Sequence, residues 1–208
     1  MSVTMIMVGL IMVTLFAGGA KGKHFALLAL PLLVAVPLLI IVEPYRLQRL
    51  MAFIDPWASP KGEGYQLIQS YYALGSGGLF GVGYLNSRQK YMFLPFAESD
   101  FIFSVIGEEW GLVGAVVVML AFLYVVYLGL RIAGRAHTRF AALLAYGITA
   151  VIALQTLLNV AVVTGCVPPT GVPLPFVSFG GSSLVSFMAA VGVLLSIDRI
   201  TRLEGLIQ

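Results

Sequence analysis

Long uninterrupted runs of apolar residues dominate the chain. Residues 1–20, 25–42, 110–130 and 140–197 contain no Asp, Glu, Lys, Arg or His. A helix needs about 20 such residues to cross a membrane, and in lipid it satisfies its own backbone polar groups. The last run is long enough for two helices, divided by a Pro- and Gly-rich stretch. The pattern therefore predicts five membrane helices, at 3–20, 25–42, 101–130, 140–164 and 176–197.

The chain also contains a long loop at 43–100 and an uncharged Pro- and Gly-rich loop at 166–183, which divides the last apolar run. Outer-membrane strands alternate polar and apolar residues, which these continuous runs do not. We therefore predict one all-α polytopic membrane domain over residues 1–208. Irregular backbone at membrane depth is tolerated only against protein or water. The 166–183 loop is accordingly predicted to be re-entrant and to fold against the 43–100 loop.

The 43–100 loop contains helical patterns of its own. Leu47, Leu50, Met51 and Ile54 share one helical face, which indicates a short helix at 44–54. That helix lies either on the membrane surface or in the core of the loop, and the pattern favours neither. A second short helix is predicted at 65–74.

Composition agrees with a membrane protein, since 60% of residues are hydrophobic and 10% are charged. The net charge of +3 comes from basic residues between the apolar runs, and no compact basic patch with interleaved aromatics indicates nucleic-acid binding. The single cysteine, Cys166, excludes an internal disulfide and a Cys-rich metal site.

Basic residues in the short connections predict the orientation. Lys and Arg collect at 21–23, 131–139 and 199–202, which places these connections and the carboxy terminus in the cytoplasm. The amino terminus and both loops then lie outside. A first helix that starts outside without a basic leader leads us to expect a part of a longer protein.

Acidic residues near the third predicted helix are the main candidates for chemistry. Asp100 lies where the long loop meets that helix, a position that suits a helix N-cap as well as a catalytic carboxylate. Glu108 and Glu109 lie within the helix, and carboxylates at membrane depth are functional suspects. An ideal helix places Glu108 about 80° from Asp100 and Glu109 about 180° away, so Glu108 is predicted to be better placed to serve the same cleft as Asp100. Backbone, water or residues not present in this chain are expected to pair with them, because no other predicted membrane helix carries a cation that could.

Several segments, in order, resemble the SEDS family (shape, elongation, division and sporulation), which includes FtsW, RodA and SpoVE. They are EPYRL at 43–47, FIDPW at 53–57, GYQLIQS at 64–70, GSGGLFG at 75–81, NSRQKY at 86–91, SDFIF at 99–103, GEEWG at 107–111, Asn159, VTG at 163–165, PTGVPLPF at 169–176 and SFGGSS at 178–183. The 86–91 segment is closer to the division and sporulation branch. The resemblance covers nearly the whole chain and implies helices six to ten of a ten-helix membrane protein.

The resemblance implies a function in the bacterial plasma membrane. Members polymerise lipid II into peptidoglycan glycan strands, usually with a class B penicillin-binding protein. The residue matching Asp100 is regarded as essential, which favours a general base over a mere cap. Glu108, Glu109 and Glu98 are then candidate supporting acids.

Departing diphosphate requires cations or N–H donors. Candidate groups for binding the substrate and its diphosphate are Arg46, Arg49, Gln66, Gly75, Gly77, Gly78, Arg88, Lys90, Ser178, Gly180, Gly181 and Ser182. The glycines at 75–78 are read either as a flexible turn or as backbone that approaches an anion. No cofactor is indicated; a divalent cation is an alternative counter-charge, although no ligand set in the sequence identifies one.

One departure and two alternatives accompany this interpretation. Members usually carry Glu where this chain has Phe96, with Glu98 two residues later. A supporting carboxylate is therefore either lost or displaced. Broken helices with polar groups at depth also suit a lipid II flippase, and a chain that lacks half of the family fold also suits a non-catalytic scaffold.

Overall fold

The computed structural model describes residues 2–42 and 44–204, and these residues form helices and turns without a strand. In chain order the helices are α1 (Ser2–Ala17), α2 (Gly22–Val42), α3 (Pro44–Ile54), α4 (Tyr65–Gly77), α5 (Arg88–Met92), α6 (Ile102–Arg135), α7 (Arg139–Val163) and α8 (Gly181–Glu204), with a short 3-10 turn at Pro56–Ala58. The predicted all-helical class is confirmed for the described residues.

Three described helices are long and apolar enough to cross a membrane: Ile102–Arg135, Arg139–Val163 and Gly181–Leu203. A shorter apolar helix covers Val3–Ala17. The total of five spans stays a prediction. The last helix begins at Gly181 rather than at residue 176, because Phe176 has a φ of 64° and the Ser178 N–H bonds to the Leu174 carbonyl in a turn.

Helix α4 ties the long loop to the apolar helices. Leu67, Ile68 and Ala73 form its buried face. Ser70 is fully buried; its hydroxyl lies 2.8 Å from the Val163 carbonyl, to which it donates, and 2.8 Å from the hydroxyl of Ser104. These bonds connect α4 to α6 and α7. The α4 part of the loop therefore packs against α6 and α7. Both helices predicted within the loop are present.

Gly111 interrupts α6. It has φ 66° and ψ −163°, which favours glycine and breaks the helical hydrogen-bond pattern. The freed Leu112 and Val113 N–H groups donate to the carbonyls of Gly78 and Leu79. In return, the carbonyls of residues 108 and 109 accept from the N–H groups of residues 82 and 83. The glycine-rich segment thus replaces the hydrogen bonds that α6 loses.

Close packing against α6 explains why position 77 is a glycine. A Cβ added at Gly77 would overlap the Gly107 carbonyl oxygen, whereas one added at Gly75, in the same helix, would meet nothing within 4 Å. We predict that Gly77→Ala lowers the free energy of unfolding by about 1–3 kcal/mol through overpacking. Gly75→Ala should be neutral or stabilising by about 0.5–1 kcal/mol. Thermal unfolding in detergent compares them; equal melting temperatures would contradict this account.

Candidate functional site

Asp100 precedes α6 in a turn and is half-buried. The N-cap of α6 is Phe101, and no side-chain hydrogen bond caps this helix. The Asp100 N–H bonds instead to the Phe96 carbonyl at 3.2 Å. The cap interpretation of Asp100 is therefore wrong, because its carboxylate does not cap α6.

An amide in α7 fixes the backbone at Asp100. The Nδ2 group of Asn159 donates to the carbonyl oxygens of Asp100 and Val172, both at 2.8 Å. Asn159 is 1% exposed and lies on the buried face of α7 with Ile152 and Thr156. The two bonds bring the second loop directly beside Asp100. A Cβ added at Gly171 would lie 3.3 Å from Asp100 Oδ2, so a glycine keeps space beside the carboxylate.

Ser178 reinforces the same junction. Its hydroxyl donates to the Ser99 carbonyl at 2.5 Å and accepts the Leu174 N–H at 2.7 Å. The Phe179 N–H donates to the carbonyl of Glu98 at 2.8 Å. The second loop therefore folds against the end of the first, as predicted. Its entry into the membrane stays a prediction.

Arg49 is a described cation whose positive charge acts on the Asp100 carboxyl. From α3 it donates to the Pro169 carbonyl at 3.4 Å, while its Nε lies 3.7 Å from Glu63 and its guanidinium 4.8 Å from the Tyr45 ring centroid. It thus links α3 to the loop beside Asp100. The side chain of Arg46, the other cation predicted in α3, lies outside the described part of the structure.

Burial raises the pKa of the Asp100 carboxyl above its ordinary value. The Ser99 hydrogen bond and the positive charge of Arg49 act in the opposite direction and favour the ionised form. The net result is a carboxylate of increased basicity, which suits a group that accepts a proton.

The Glu108 carboxylate accepts hydrogen bonds from residues 87–89. Ser87 donates to its Oε2 at 2.5 Å, and the N–H groups of Arg88 and Gln89 donate to its Oε1 at 3.0 and 3.5 Å. The expectation of backbone partners is confirmed for Glu108. Its predicted direction toward Asp100 is not, because α6 begins after Asp100 and the ideal-helix angle does not apply across the turn. Glu109 is 7% exposed, and its Oε1 has no hydrogen-bond partner among the described residues.

The remaining predicted residues are distributed around this junction. Arg88 is exposed, Lys90 is half-buried, and neither pairs with a carboxylate within the described residues. Glu98 and Phe96 are exposed. Gln66 lies in α4, Gly75 and Gly77 lie in the same helix, and Gly78 follows it; Gly180, Gly181 and Ser182 lie at the start of α8. The predicted roles of all these residues stay predictions.

Residues 2–42 and 44–204 contain no group of three or more His, Cys, Asp or Glu side chains that could hold a metal ion. Any binding of a divalent cation stays a prediction.

Asn159, Gly171 and Ser87 were missing from the predicted site residues. A signal existed for Asn159, since an amide within a long uncharged run needs hydrogen-bond partners.

Known proteins match the chain over nearly its whole length. The family model described as cell cycle protein, FtsW/RodA/SpoVE, matches residues 1–203. Stage V sporulation protein E of Bacillus subtilis (strain 168) is 44% identical over 95% of this chain and 54% of its own length. A probable peptidoglycan glycosyltransferase FtsW of Geobacter sp. (strain M18) is 43% identical over 98% of this chain and 54% of its own length.

Solved structures agree in fold. A chain of a peptidoglycan synthase complex that coordinates polymerization and crosslinking matches 95% of this chain and 55% of its own length, with a TM-score of 0.75 and 30% identity. The rod shape determining protein RodA of Thermus thermophilus matches 92% of this chain and 63% of its own length, with a TM-score of 0.50 and 27% identity.

The helical fold and the family match together define a membrane protein of the cell-cycle class. The chain belongs to the FtsW/RodA/SpoVE family. It spans about half the length of the relatives that it matches.

Removal of the Asn159 amide tests whether this residue holds the junction. We predict that Asn159→Leu lowers the free energy of unfolding by about 1–3 kcal/mol for each buried carbonyl left unpaired. Gln155→Leu, one turn earlier, is the control, because the Gln155 Oε1 is buried without a partner among the described residues and its removal should cost little. Chemical unfolding measures both; a control variant as unstable as Asn159→Leu would argue against the clamp.

Proposed function

We propose that this chain forms the catalytic half of a peptidoglycan glycosyltransferase that polymerises lipid II into glycan strands. The observation that carries the proposal is the Asp100 carboxylate, whose pKa burial raises and which two loops hold beside Gly171 and near Arg49. The names of the FtsW relatives support this reaction.

The residues supply what the reaction needs. A sugar 4-hydroxyl attacks the anomeric carbon of the lipid-linked sugar with inversion, and the bond to the diphosphate breaks. Asp100 accepts the hydroxyl proton as general base. The diphosphate leaves with the bonding electron pair and needs no proton, but its charge needs stabilisation. Arg49, Arg88 and Lys90 are the cations proposed for this role.

We further propose the side of the membrane on which this reaction takes place and the protein partner. Asp100 and both loops lie outside the bacterial plasma membrane in this proposal, which the basic connections at 21–23, 131–139 and 199–202 support. A class B penicillin-binding protein is the proposed partner, and the similarity to a chain of a peptidoglycan synthase complex supports it.

Asp100→Asn tests the base most directly. The amide has nearly the same shape but cannot accept the proton, so we predict at least a 100-fold loss of lipid II polymerisation with an unchanged melting temperature. Labelled lipid II is supplied to this chain, alone and joined to the amino-terminal half of the sporulation relative. Asp198→Asn, at the far end of α8, should retain activity.

Polymerisation that survives in Asp100→Asn would refute the assignment of the base. Movement of lipid II across liposomes by the unmodified protein, without any polymer, would favour the flippase.

The pH dependence of polymerisation tests the charge around Asp100. A base acts only when ionised, so burial moves the acid limb of the rate profile above the ordinary range of Asp. Arg49 favours the ionised carboxylate. Arg49→Gln should therefore raise the pKa further and shift the acid limb to higher pH, so that activity is lost earlier on acidification.

Initial polymerisation rates across pH measure the position of the limb independently of its height. Arg202→Gln, which removes a cation paired with Asp198 at the far end of α8, should leave the limb in place. A limb that is unmoved or lower in Arg49→Gln would contradict the proposed electrostatics.

A further inference from the structure

We infer that Glu108 is a positioning residue that fixes the basic helix α5, and with it Arg88 and Lys90, relative to Asp100. The inference rests on the proposed function and assigns Glu108 a role different from that of a supporting acid. Its basis is the set of hydrogen bonds that this buried carboxylate makes outside its own helix.

The carboxylate and Ser87 together satisfy the first turn of α5. A helix begins with N–H groups that have no partner within the helix. Glu108 Oε1 accepts those of Arg88 and Gln89, and Ser87 Oγ accepts that of Lys90 at 3.0 Å. The Ser87 hydroxyl in turn donates to Glu108 Oε2. A five-residue helix with little propensity to form alone is thereby attached to α6.

Burial makes this attachment strong. Glu108 is 2% exposed and Ser87 is 1% exposed, so water does not compete for these hydrogen bonds. No cation pairs with Glu108 within the described residues, and its charge is met by the N–H groups and the dipole of α5. Loss of the carboxylate would leave the buried Ser87 hydroxyl and the partly buried N–H groups of Arg88 and Gln89 without this acceptor.

The segment between α5 and Asp100 is held at both ends. Glu108 and Ser87 hold its start, while Asn159 and Ser178 hold its end through the carbonyls of residues 100 and 99. Neither Arg88 nor Lys90 pairs with a described carboxylate, although Lys90 Nζ lies 5.6 Å from the Tyr91 ring centroid, so no described acid neutralises their charges. Their distance from Asp100 is thus set by two anchors, of which Glu108 is the one nearer to them.

Loss of a residue that positions the substrate-binding cations should weaken substrate binding, whereas loss of a proton donor should lower turnover. In this chain joined to the amino-terminal half of the sporulation relative, Glu108→Ala should raise the KM for lipid II and the Kd for undecaprenyl diphosphate on the order of tenfold. The kcat should change less. Glu108→Gln keeps an acceptor for the Arg88 N–H and should recover part of the affinity, and Ser87→Ala should show a smaller loss in the same direction.

The deciding comparison removes the two cations. If Glu108 acts through them, Glu108→Ala should change the Kd by less than about twofold in a variant that already carries Arg88→Gln and Lys90→Gln. Asp198→Asn is the matched control and should leave the Kd unchanged. Melting temperatures show which variants are folded. If Glu108→Ala does not fold, the same comparison is made with Glu108→Gln and Ser87→Ala.

Each outcome has a defined meaning. Effects that multiply independently in the combined variant, or a kcat that falls at constant KM, would overturn the positioning role. If the unmodified protein binds undecaprenyl diphosphate but does not polymerise lipid II, the proposed function fails while the binding comparison still decides the role of Glu108. A protein that does not bind the diphosphate lipid overturns both.

Discussion

The Nδ2 group of Asn159 donates to two carbonyls from different loops, those of Asp100 and Val172, and the arrangement of the site depends on this pair of bonds. Both carbonyls belong to backbone that is not helical, so no helical N–H is available to them. An amide donates two hydrogens from one nitrogen and can join both. The rigid helix α7 thereby determines where the Asp100 carboxylate meets Gly171.

The same requirement for hydrogen-bond partners explains how the glycine-rich segment packs against α6. Gly111 breaks α6 and frees N–H groups and carbonyls at its buried end, and the glycine-rich segment exchanges hydrogen bonds with residues 108, 109, 112 and 113. Such an exchange needs close backbone approach, which a side chain at Gly77 or Gly81 would prevent. Several glycines of the family-like motif at 75–81 thus have a structural explanation that does not involve a ligand.

Apolar run length was sufficient to predict the fold class, the approximate helices and the two loops. Sequence did not predict the interruption at Gly111, because a glycine within an apolar run is also compatible with a continuous helix. It placed the last helix five residues early, since the turn at Phe176 depends on Ser178 and on tertiary bonds to residues 98 and 99. Asp100 was predicted as the candidate base from the sequence, but Asn159 and Gly171, which lie beside it, come from distant parts of the chain.

Glu108 illustrates how a buried acid can be misread from periodicity alone. Its angle on an ideal helix directed it toward Asp100, yet Asp100 precedes α6 and the carboxylate bonds to residues 87–89 instead. Because no described cation forms an ion pair with it, this buried carboxylate is stabilised where N–H and O–H donors converge, and the start of a short helix supplies them. The buried acid and the start of α5 therefore satisfy each other's hydrogen-bonding groups through one set of contacts.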